Sequence, residues 1–127
     1  MENIDFSQYT ILVVDDVYLN LVLVEKMLKR HNFNVETANG GSEALDMIAE
    51  KKPSLVLLDL MMPNMDGFEV LERLRKDPET QNLPVIILSA LNSDADIARG
   101  MECGANDFIT KPIIMARLIE SVKKHLA

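Results

Sequence analysis

The segment that decides the fold is Leu55-Val56-Leu57-Leu58-Asp59, followed by Leu60-Met61-Met62-Pro63-Asn64-Met65-Asp66-Gly67. Four consecutive apolar residues are typical of a strand buried on both faces, as in a parallel sheet covered by helices. Asp59 ends this strand, and ligands of open α/β sheets bind at the carboxyl ends of the strands. Asp59 is therefore a candidate functional residue. An aspartate here can equally begin a turn or cap a helix, and this segment alone leaves both interpretations open.

The composition indicates one domain, which we place at residues 1–127. No apolar run approaches the roughly 20 residues that a membrane helix needs, and the amino terminus lacks the pattern of a signal peptide. The net charge of −7 argues against nucleic acid as a direct partner. The single cysteine excludes an internal disulfide and fits a reducing compartment. We therefore predict a cytoplasmic domain that binds neither membranes nor nucleic acids directly.

Strands and helices alternate along the chain. The pattern predicts strands at 10–14, 33–37, 55–58, 85–88 and 107–110, and helices at 18–31, 42–50, 67–76, 93–103 and 114–126. Parallel strands need such helical crossovers, which are right-handed. We predict an α/β fold with a five-stranded parallel sheet, doubly wound, in the flavodoxin-like order 2-1-3-4-5.

Polar residues end four of the predicted strands: Asp15 and Asp16 the first, Asp59 the third, Ser89 the fourth, and Lys111 the fifth. Parallel strands end at one edge of the sheet, so these side chains are expected to converge there. Three carboxylates at close range repel one another and need a cation. An all-oxygen ligand set suits Mg²⁺ or Mn²⁺. A carboxylate surrounded by a cation, a lysine and a hydroxyl can accept a phosphoryl group.

These residues also give the chain a family resemblance. It is similar over nearly its whole length to the receiver domains of two-component response regulators. The motifs that carry the resemblance occur in order: Asp15-Asp16, Asp59, Met62-Pro63, Asp66-Gly67, Ser89-Ala90 and Lys111-Pro112. Each pair alone is commonplace, and the ordered set is a strong signal.

The resemblance implies that Asp59 is the phosphoacceptor. It also implies that Asp15 or Asp16, together with Asp59 and the backbone carbonyl of Met61, binds Mg²⁺, with Mn²⁺ as a possible substitute. One of the two acidic residues after the first strand would act largely through water.

The resemblance further implies that Ser89 and Lys111 hold the phosphoryl oxygens, and that the bond from Lys111 to Pro112 is cis. Phe108 occupies the place of an aromatic residue that turns inward when Ser89 moves toward the phosphate. Ser89 and Phe108 would then form a switch. Phe108 can also be an ordinary core aromatic, and this alternative remains open.

The expected partners are a histidine kinase or a histidine phosphotransfer protein, and a downstream effector or fused output domain. We expect a monomer or a weak, phosphorylation-dependent dimer. The resemblance puts an arginine about ten residues after the lysine in members that dimerise as DNA-binding regulators, and Ser121 stands there instead.

The first helix is too apolar for a single buried stripe, so we expect it to dock the phosphodonor. The 3.6-residue period assigns Leu23, Val24, Met27 and Leu28 to the core. It places Leu19 and Val22 at the margin, near the acidic end of the site.

Two other functions fit part of this pattern. Phosphatases of the haloacid dehalogenase type also use an aspartate at a strand end, but need a second aspartate two residues later, where this chain has Met61. A degenerate receiver that only docks partners would be expected to lack Asp59, Lys111 or the acidic pair, and all are present. We therefore predict phosphoryl transfer onto the chain's own aspartate.

Overall fold

The computed structural model describes residues 6–126. After a 3-10 turn at Phe6–Gln8, the chain forms five strands, which are β1 (Thr10–Val14), β2 (Asn34–Ala38), β3 (Leu55–Leu58), β4 (Val85–Ser89) and β5 (Asp107–Thr110). The five helices are α1 (Tyr18–Lys29), α2 (Gly41–Lys51), α3 (Gly67–Lys76), α4 (Asp94–Glu102) and α5 (Met115–Leu126). Within the described part of the chain, no helix is long and apolar enough to cross a membrane.

The strands form one parallel sheet in the order β2-β1-β3-β4-β5. The predicted fold class and strand order are therefore confirmed. Because β1 and β3 are neighbours, with Val14 opposite Leu58, the residues that follow these two strands emerge side by side. This pairing brings the acidic segments of the chain together.

Helices cover both faces of the sheet, and β3 supplies side chains to both core layers. Leu55 and Leu57 pack in the layer beneath α1 and α5. Val56 and Leu58 pack in the layer beneath α2, α3 and α4. A strand whose alternate side chains face two apolar layers has no wet side. This explains why four consecutive aliphatic residues precede Asp59.

The buried face of α1 differs from the prediction. Val24 and Leu28 are buried as expected, but Leu23 exposes 48% of its surface and Leu21 is buried instead. Met27 is half-buried. Apolar residues occupy eight of the twelve positions of α1, more than one buried stripe needs, so the helical period alone does not select one face. The packing of α1 against the sheet selects it.

The predicted bounds of the elements hold to within two residues. The largest difference is in α1, which ends at Lys29, before the predicted His31. Asn32 has a φ of 68°, in the left-handed region that ends helices. The bond between Lys111 and Pro112 is cis, as the resemblance implied.

Candidate functional site

Asp59 lies directly after β3, at the carboxyl edge of the sheet. Its backbone N–H donates to the carbonyl of Val14 at 3.0 Å, which fixes the end of β3 against β1. The side chain is buried, and its Oδ1 accepts a hydrogen bond from the N–H of Met61 at 3.3 Å. These contacts hold the carboxylate in one orientation.

Gly67 allows α3 to begin directly against this segment. A Cβ at position 67 would overlap the backbone oxygen of Asp59 and lie 2.8 Å from Cα of Leu60. The N–H of Gly67 donates to the carbonyl of Leu60 at 3.0 Å, and Asp66 caps α3 by accepting from the N–H of Glu69. The motif Asp66-Gly67 is thus a helix start, as the sequence indicated.

Asp15 and Asp16 follow β1 and complete an acidic cluster with Asp59. Asp15 is buried, and its Oδ1 accepts from the N–H of Val17 at 2.9 Å, whereas Asp16 is exposed. One carboxylate oxygen from each of the three residues lies within 4.8 Å of the others. A set of three carboxylates without histidine or cysteine fits a hard cation such as Mg²⁺.

Lys111 reaches the same cluster from the end of β5. Its ammonium Nζ lies 3.1 Å from Oδ2 of Asp15 and 3.7 Å from Oδ2 of Asp59. Its backbone N–H donates to the carbonyl of Ser89 at 2.8 Å, which ties the ends of β4 and β5 together. The structure therefore brings the lysine to the two buried carboxylates.

The environment of Asp59 raises the pKa of its carboxyl group from 3.8 to about 6. Burial is the largest cause, because it disfavours the charged form. The positive charge of Lys111 opposes this shift, and the negative charge of Asp15 adds to it. One lysine thus only partly offsets burial and the neighbouring acid, so a further positive charge would favour the carboxylate form.

Ser89 is the last residue of β4 and is fully buried. Its Oγ accepts a hydrogen bond from the N–H of Leu91 at 3.1 Å. Among residues 6–126, the structure gives this hydroxyl no hydrogen-bond acceptor. Its proton is therefore available for an acceptor brought into the site.

Phe108 is buried under α4, and Ile87 of β4 is its register partner. The ring is thus in the inward position, and its switching role stays a prediction. Met61 exposes 57% of its surface beside Asp59, whereas Met62 is buried. Binding of a cation by the Met61 carbonyl stays a prediction.

A cavity of about 290 Å³ lies beside the site and was not predicted from the sequence. It lies between α1 and the segment after β5, and its apolar lining includes Leu23, Met27 and Ile113. Asp15 and Lys111 also line it. The many apolar residues of α1 indicate an apolar surface on this helix. The sequence did not indicate that the segment after β5 lies opposite this surface.

Comparison with known proteins agrees with this geometry. Residues 11–123 match the family model described as response regulator receiver domain. The response regulator PleD of Caulobacter vibrioides is 45% identical over 113 residues, which are 89% of this chain and 25% of PleD. The chain thus spans about a quarter of the length of this curated relative.

Solved structures of receiver domains are also similar. The receiver domain of the Francisella response regulator 1452 has a TM-score of 0.87 and 33% identity, and the match covers 93% of this chain and 96% of that one. The BeF3-activated N-terminal receiver domain of Klebsiella pneumoniae RstA has a TM-score of 0.85 and 33% identity, with 92% and 97% covered. This chain therefore belongs to the family of response regulator receiver domains, which act in two-component signal transduction.

Proposed function

We propose that this receiver domain accepts a phosphoryl group on Asp59 from a histidine kinase or a histidine phosphotransfer protein. The observation that carries the proposal is the buried Asp59 carboxylate, which has two further carboxylates within 4.8 Å and the Lys111 ammonium at 3.7 Å. This arrangement combines a nucleophile with groups that can compensate the charge of a phosphoryl group.

In the transfer, a carboxylate oxygen of Asp59 forms a new P–O bond while the P–N bond of the phosphohistidine breaks. The imidazole nitrogen keeps the electron pair of the broken bond. Lys111 supplies positive charge at the phosphoryl oxygens, and the buried hydroxyl of Ser89 donates a hydrogen bond to one of them. Only the ionised form of Asp59 can attack, so the groups that favour that form also favour the reaction.

The transfer depends on a divalent cation, Mg²⁺ or in its place Mn²⁺. Asp15, Asp16, Asp59 and the backbone carbonyl of Met61 would hold this cation. When bound, it supplies positive charge that offsets both the three carboxylates and the incoming phosphoryl group. Burial and the charge of Asp15 raise the pKa of Asp59, so positive charge at the cluster favours the carboxylate that attacks.

The decisive experiment is labelling with acetyl phosphate, followed by intact mass spectrometry. The wild type should gain one phosphoryl group with Mg²⁺ and none with a chelator. Asp59→Asn should gain none, and Asp46→Asn, which changes an exposed aspartate of α2, should behave like the wild type. Equal labelling of Asp59→Asn, or labelling without any divalent cation, would refute the proposal.

The phosphorylated domain would act on a downstream effector or on an output domain fused to it, with no direct contact to nucleic acid or membrane, in the cytoplasm. PleD, of which the match covers 25%, carries further segments outside the matched part. A monomer or a weak, phosphorylation-dependent dimer is favoured, because Ser121 is buried and donates to Asp107 of its own chain. Analytical ultracentrifugation with and without beryllofluoride would test this.

A hydrolase of the haloacid dehalogenase type is less well supported. The position two residues after Asp59 holds Met61, whose side chain has no group that can protonate a leaving oxygen. Prolonged incubation with a chromogenic phosphate ester should therefore give no catalytic turnover.

A further inference from the structure

At two places in the chain a glycine directly follows an asparagine or an aspartate, at Asn39-Gly40 and at Asp66-Gly67. In such a pair the backbone nitrogen of the glycine can attack the side-chain carbonyl carbon and close a succinimide ring. Glycine favours this reaction because it has no Cβ to obstruct the ring. Both pairs stand at the start of a helix, with Gly40 as the N-cap of α2 and Asp66 as the N-cap of α3. The structure nevertheless gives them very different surroundings.

Both reacting groups of the pair Asp66-Gly67 are held in hydrogen bonds. The N–H of Gly67 donates to the carbonyl of Leu60 at 3.0 Å, and the carboxylate of Asp66 accepts from the N–H of Glu69 at 3.0 Å. The backbone at position 67 is also tightly packed, because a Cβ there would overlap the segment after β3. Ring closure at this pair would require both hydrogen bonds to break and the start of α3 to move.

The pair Asn39-Gly40 lies open to solvent in the connection between β2 and α2. Asn39 is exposed, and a Cβ at Gly40 would have nothing within 4 Å. Among residues 6–126, the structure gives neither the side-chain amide of Asn39 nor the N–H of Gly40 a hydrogen-bond partner. Neither reacting group therefore has to give up a hydrogen bond before the ring can close.

We propose that Asn39 is a modification site of the folded chain, at which spontaneous deamidation yields aspartate and isoaspartate. The backbone nitrogen of Gly40 forms a bond to Cγ of Asn39, and the bond from Cγ to the amide nitrogen breaks. The amide nitrogen leaves as ammonia and takes with it the proton of the Gly40 N–H. Water then opens the ring, and breaking the bond to Cγ yields aspartate. Breaking the bond to the main-chain carbonyl carbon yields isoaspartate, in which the chain runs through the former side chain.

The two products affect the fold differently. Aspartate leaves the backbone unchanged and adds a negative charge before α2, where the helix dipole favours it. Isoaspartate inserts a methylene group into the main chain between two segments that are both held. On one side, the carbonyl of Ala38 accepts from the N–H of Asp15 at 3.2 Å, and on the other, a Cβ at Gly41 would lie 2.9 Å from Cγ2 of Val70. The connection cannot absorb the extra length without loss of contacts, so isoaspartate destabilises the fold.

Isoaspartate also carries a free α-carboxylate at an exposed position. This group is the substrate of isoaspartyl carboxyl methyltransferases, which transfer a methyl group from S-adenosylmethionine to the carboxylate oxygen. The aged chain is therefore a substrate for this class of enzyme, whereas the unmodified chain is not.

Ageing of the wild type in the folded and the unfolded state tests the proposal without any variant. The chain is kept in mildly alkaline buffer with and without guanidinium chloride, and peptide mapping with isotopically labelled methyl transfer gives the isoaspartate at each pair. Folding should slow the reaction at Asn39 by less than about fivefold, and at Asp66 by more than about tenfold, because Asp66 reacts only through local opening. Equal protection of the two pairs, or a larger protection of Asn39, would overturn the proposal.

Two variants test the ring mechanism. Gly40→Ala adds a methyl group in open space at an extended φ of −173°, so it should keep the Tm of the wild type. It should slow modification of Asn39 by about tenfold, because the methyl group hinders the approach of the nitrogen to Cγ. Asn39→Gln should give no isoaspartate at this position. Modification of Gly40→Ala at the rate of the wild type would overturn the assignment.

The effect on the fold is measured by separating the isoaspartyl form from the aged chain by ion exchange. Its Tm should be lower than that of Asn39→Asp, which carries the same charge with a normal backbone. Equal Tm values would show that the connection between β2 and α2 absorbs the extra methylene group, and would overturn the destabilisation inferred for isoaspartate.

Discussion

Lys111 donates a hydrogen bond to Asp15, with 3.1 Å between Nζ and Oδ2, and stands further from the proposed phosphoacceptor, whose Oδ2 is 3.7 Å away. The lysine is therefore held by the neighbouring acid and compensates Asp59 only in part. This explains how the pKa of Asp59 rises to about 6, chiefly through burial, beside a positive charge. Burial and Asp15 thus disfavour ionised Asp59 near neutral pH, and Lys111 offsets this only in part.

This unfavourable ionisation predicts that Asp59→Asn stabilises the cation-free fold. Between pH 3.8 and about 6 the folded chain binds more protons at Asp59 than the unfolded chain does, so the free energy of unfolding falls as pH rises. In the presence of a chelator, the variant should exceed the wild type by about 1 to 3 kcal/mol at pH 7.5. Urea unfolding at several pH values measures this difference.

The difference should nearly vanish at pH 3.5, where Asp59 is protonated in the folded state and mostly protonated in the unfolded state. Asp46→Asn, at an exposed position of α2, should change stability by less than about 0.5 kcal/mol at either pH. A stabilisation of Asp59→Asn that is independent of pH would contradict this account of Asp59.

A second prediction, which rests on the proposed function, concerns the lifetime of an aspartyl-phosphate at Asp59. Met61 and Leu91, two residues after Asp59 and Ser89, have no side-chain group that can orient a water for attack. Met61→Asn should therefore speed hydrolysis by about three- to tenfold. This effect is smaller than the rate increase of roughly 100-fold or more that a dedicated general base provides. Loss of the phosphoryl group after removal of acetyl phosphate, followed by mass spectrometry, gives the rate.

Met101→Asn is the matched control, because Met101 is exposed on α4. It should leave the hydrolysis rate unchanged. Unchanged or slower hydrolysis in Met61→Asn would mean that this side chain does not control the access or orientation of water.

A third prediction concerns Asp107 at the start of β5. Burial alone would raise its pKa, but the hydroxyl of Ser121 at 2.6 Å, the N–H of Phe108 and the guanidinium of Arg117 lower it below the usual value. A carboxyl group whose pKa is lowered by folding stabilises the fold at pH values above its pKa in the unfolded state. This stabilisation is lost as pH falls through its pKa in the folded state. Ser121→Ala should cost about 1 to 2 kcal/mol at pH 7.

The loss caused by Ser121→Ala should shrink as pH falls through the lowered pKa of Asp107 and its carboxylate becomes protonated. Ser42→Ala, at an exposed position of α2, serves as the control and should be close to neutral at every pH. A loss that stays constant with pH would show that the Ser121 hydroxyl acts through packing and not through the charge of Asp107. Thermal unfolding in matched buffers distinguishes the two.

The sequence predicted the parts of this molecule that depend on local pattern. Buried runs such as Leu55–Leu58 identify central parallel strands, and the alternation with helices leads to the strand order. The sequence did not predict distances between side chains. Nothing in it indicates that the ammonium group of Lys111 lies nearer to Asp15 than to Asp59. These distances depend on how the loops after each strand settle against one another.

The sequence also failed where several faces of a helix are equally apolar. Leu23 of α1, which the helical period assigns to the core, is exposed, and Leu21 is buried, because packing and not periodicity selects the buried face. Gly100 illustrates a different limit. Its low helix propensity is visible in the sequence, but its contact with Phe108 requires the positions of α4 and β5.

The exposed apolar side of α1 leads to the last prediction, which concerns phosphodonor docking. Leu19 exposes 65% of its surface and Leu23 48%, close to the end of the helix that follows Asp15 and Asp16. Val22, the other residue at the predicted margin, is half-buried, whereas Leu23 is exposed. Leu23 also lines the cavity of about 290 Å³ that reaches Lys111, so an apolar side chain of the partner can enter beside the site.

Leu19→Lys and Leu23→Lys should each slow phosphoryl transfer from a histidine kinase or phosphotransfer protein that labels the wild type. A loss of about tenfold in kcat/KM is expected for central interface residues. Labelling by acetyl phosphate, which needs no protein surface, should change by less than about twofold. Ala49→Lys on α2 is the control, because it adds the same charge at an exposed position of another helix.

The comparison of the two phosphodonors separates docking from damage to the site. If Leu19→Lys or Leu23→Lys slows both routes equally, the substitution has disturbed the acidic cluster and not the partner surface. A fall of more than about 1 kcal/mol in the free energy of unfolding would likewise place the residue in the core. If Ala49→Lys slows kinase transfer as strongly as Leu19→Lys, the added charge and not the lost apolar contact is responsible. Only a selective loss of the kinase route at α1 assigns this helix to the docking surface.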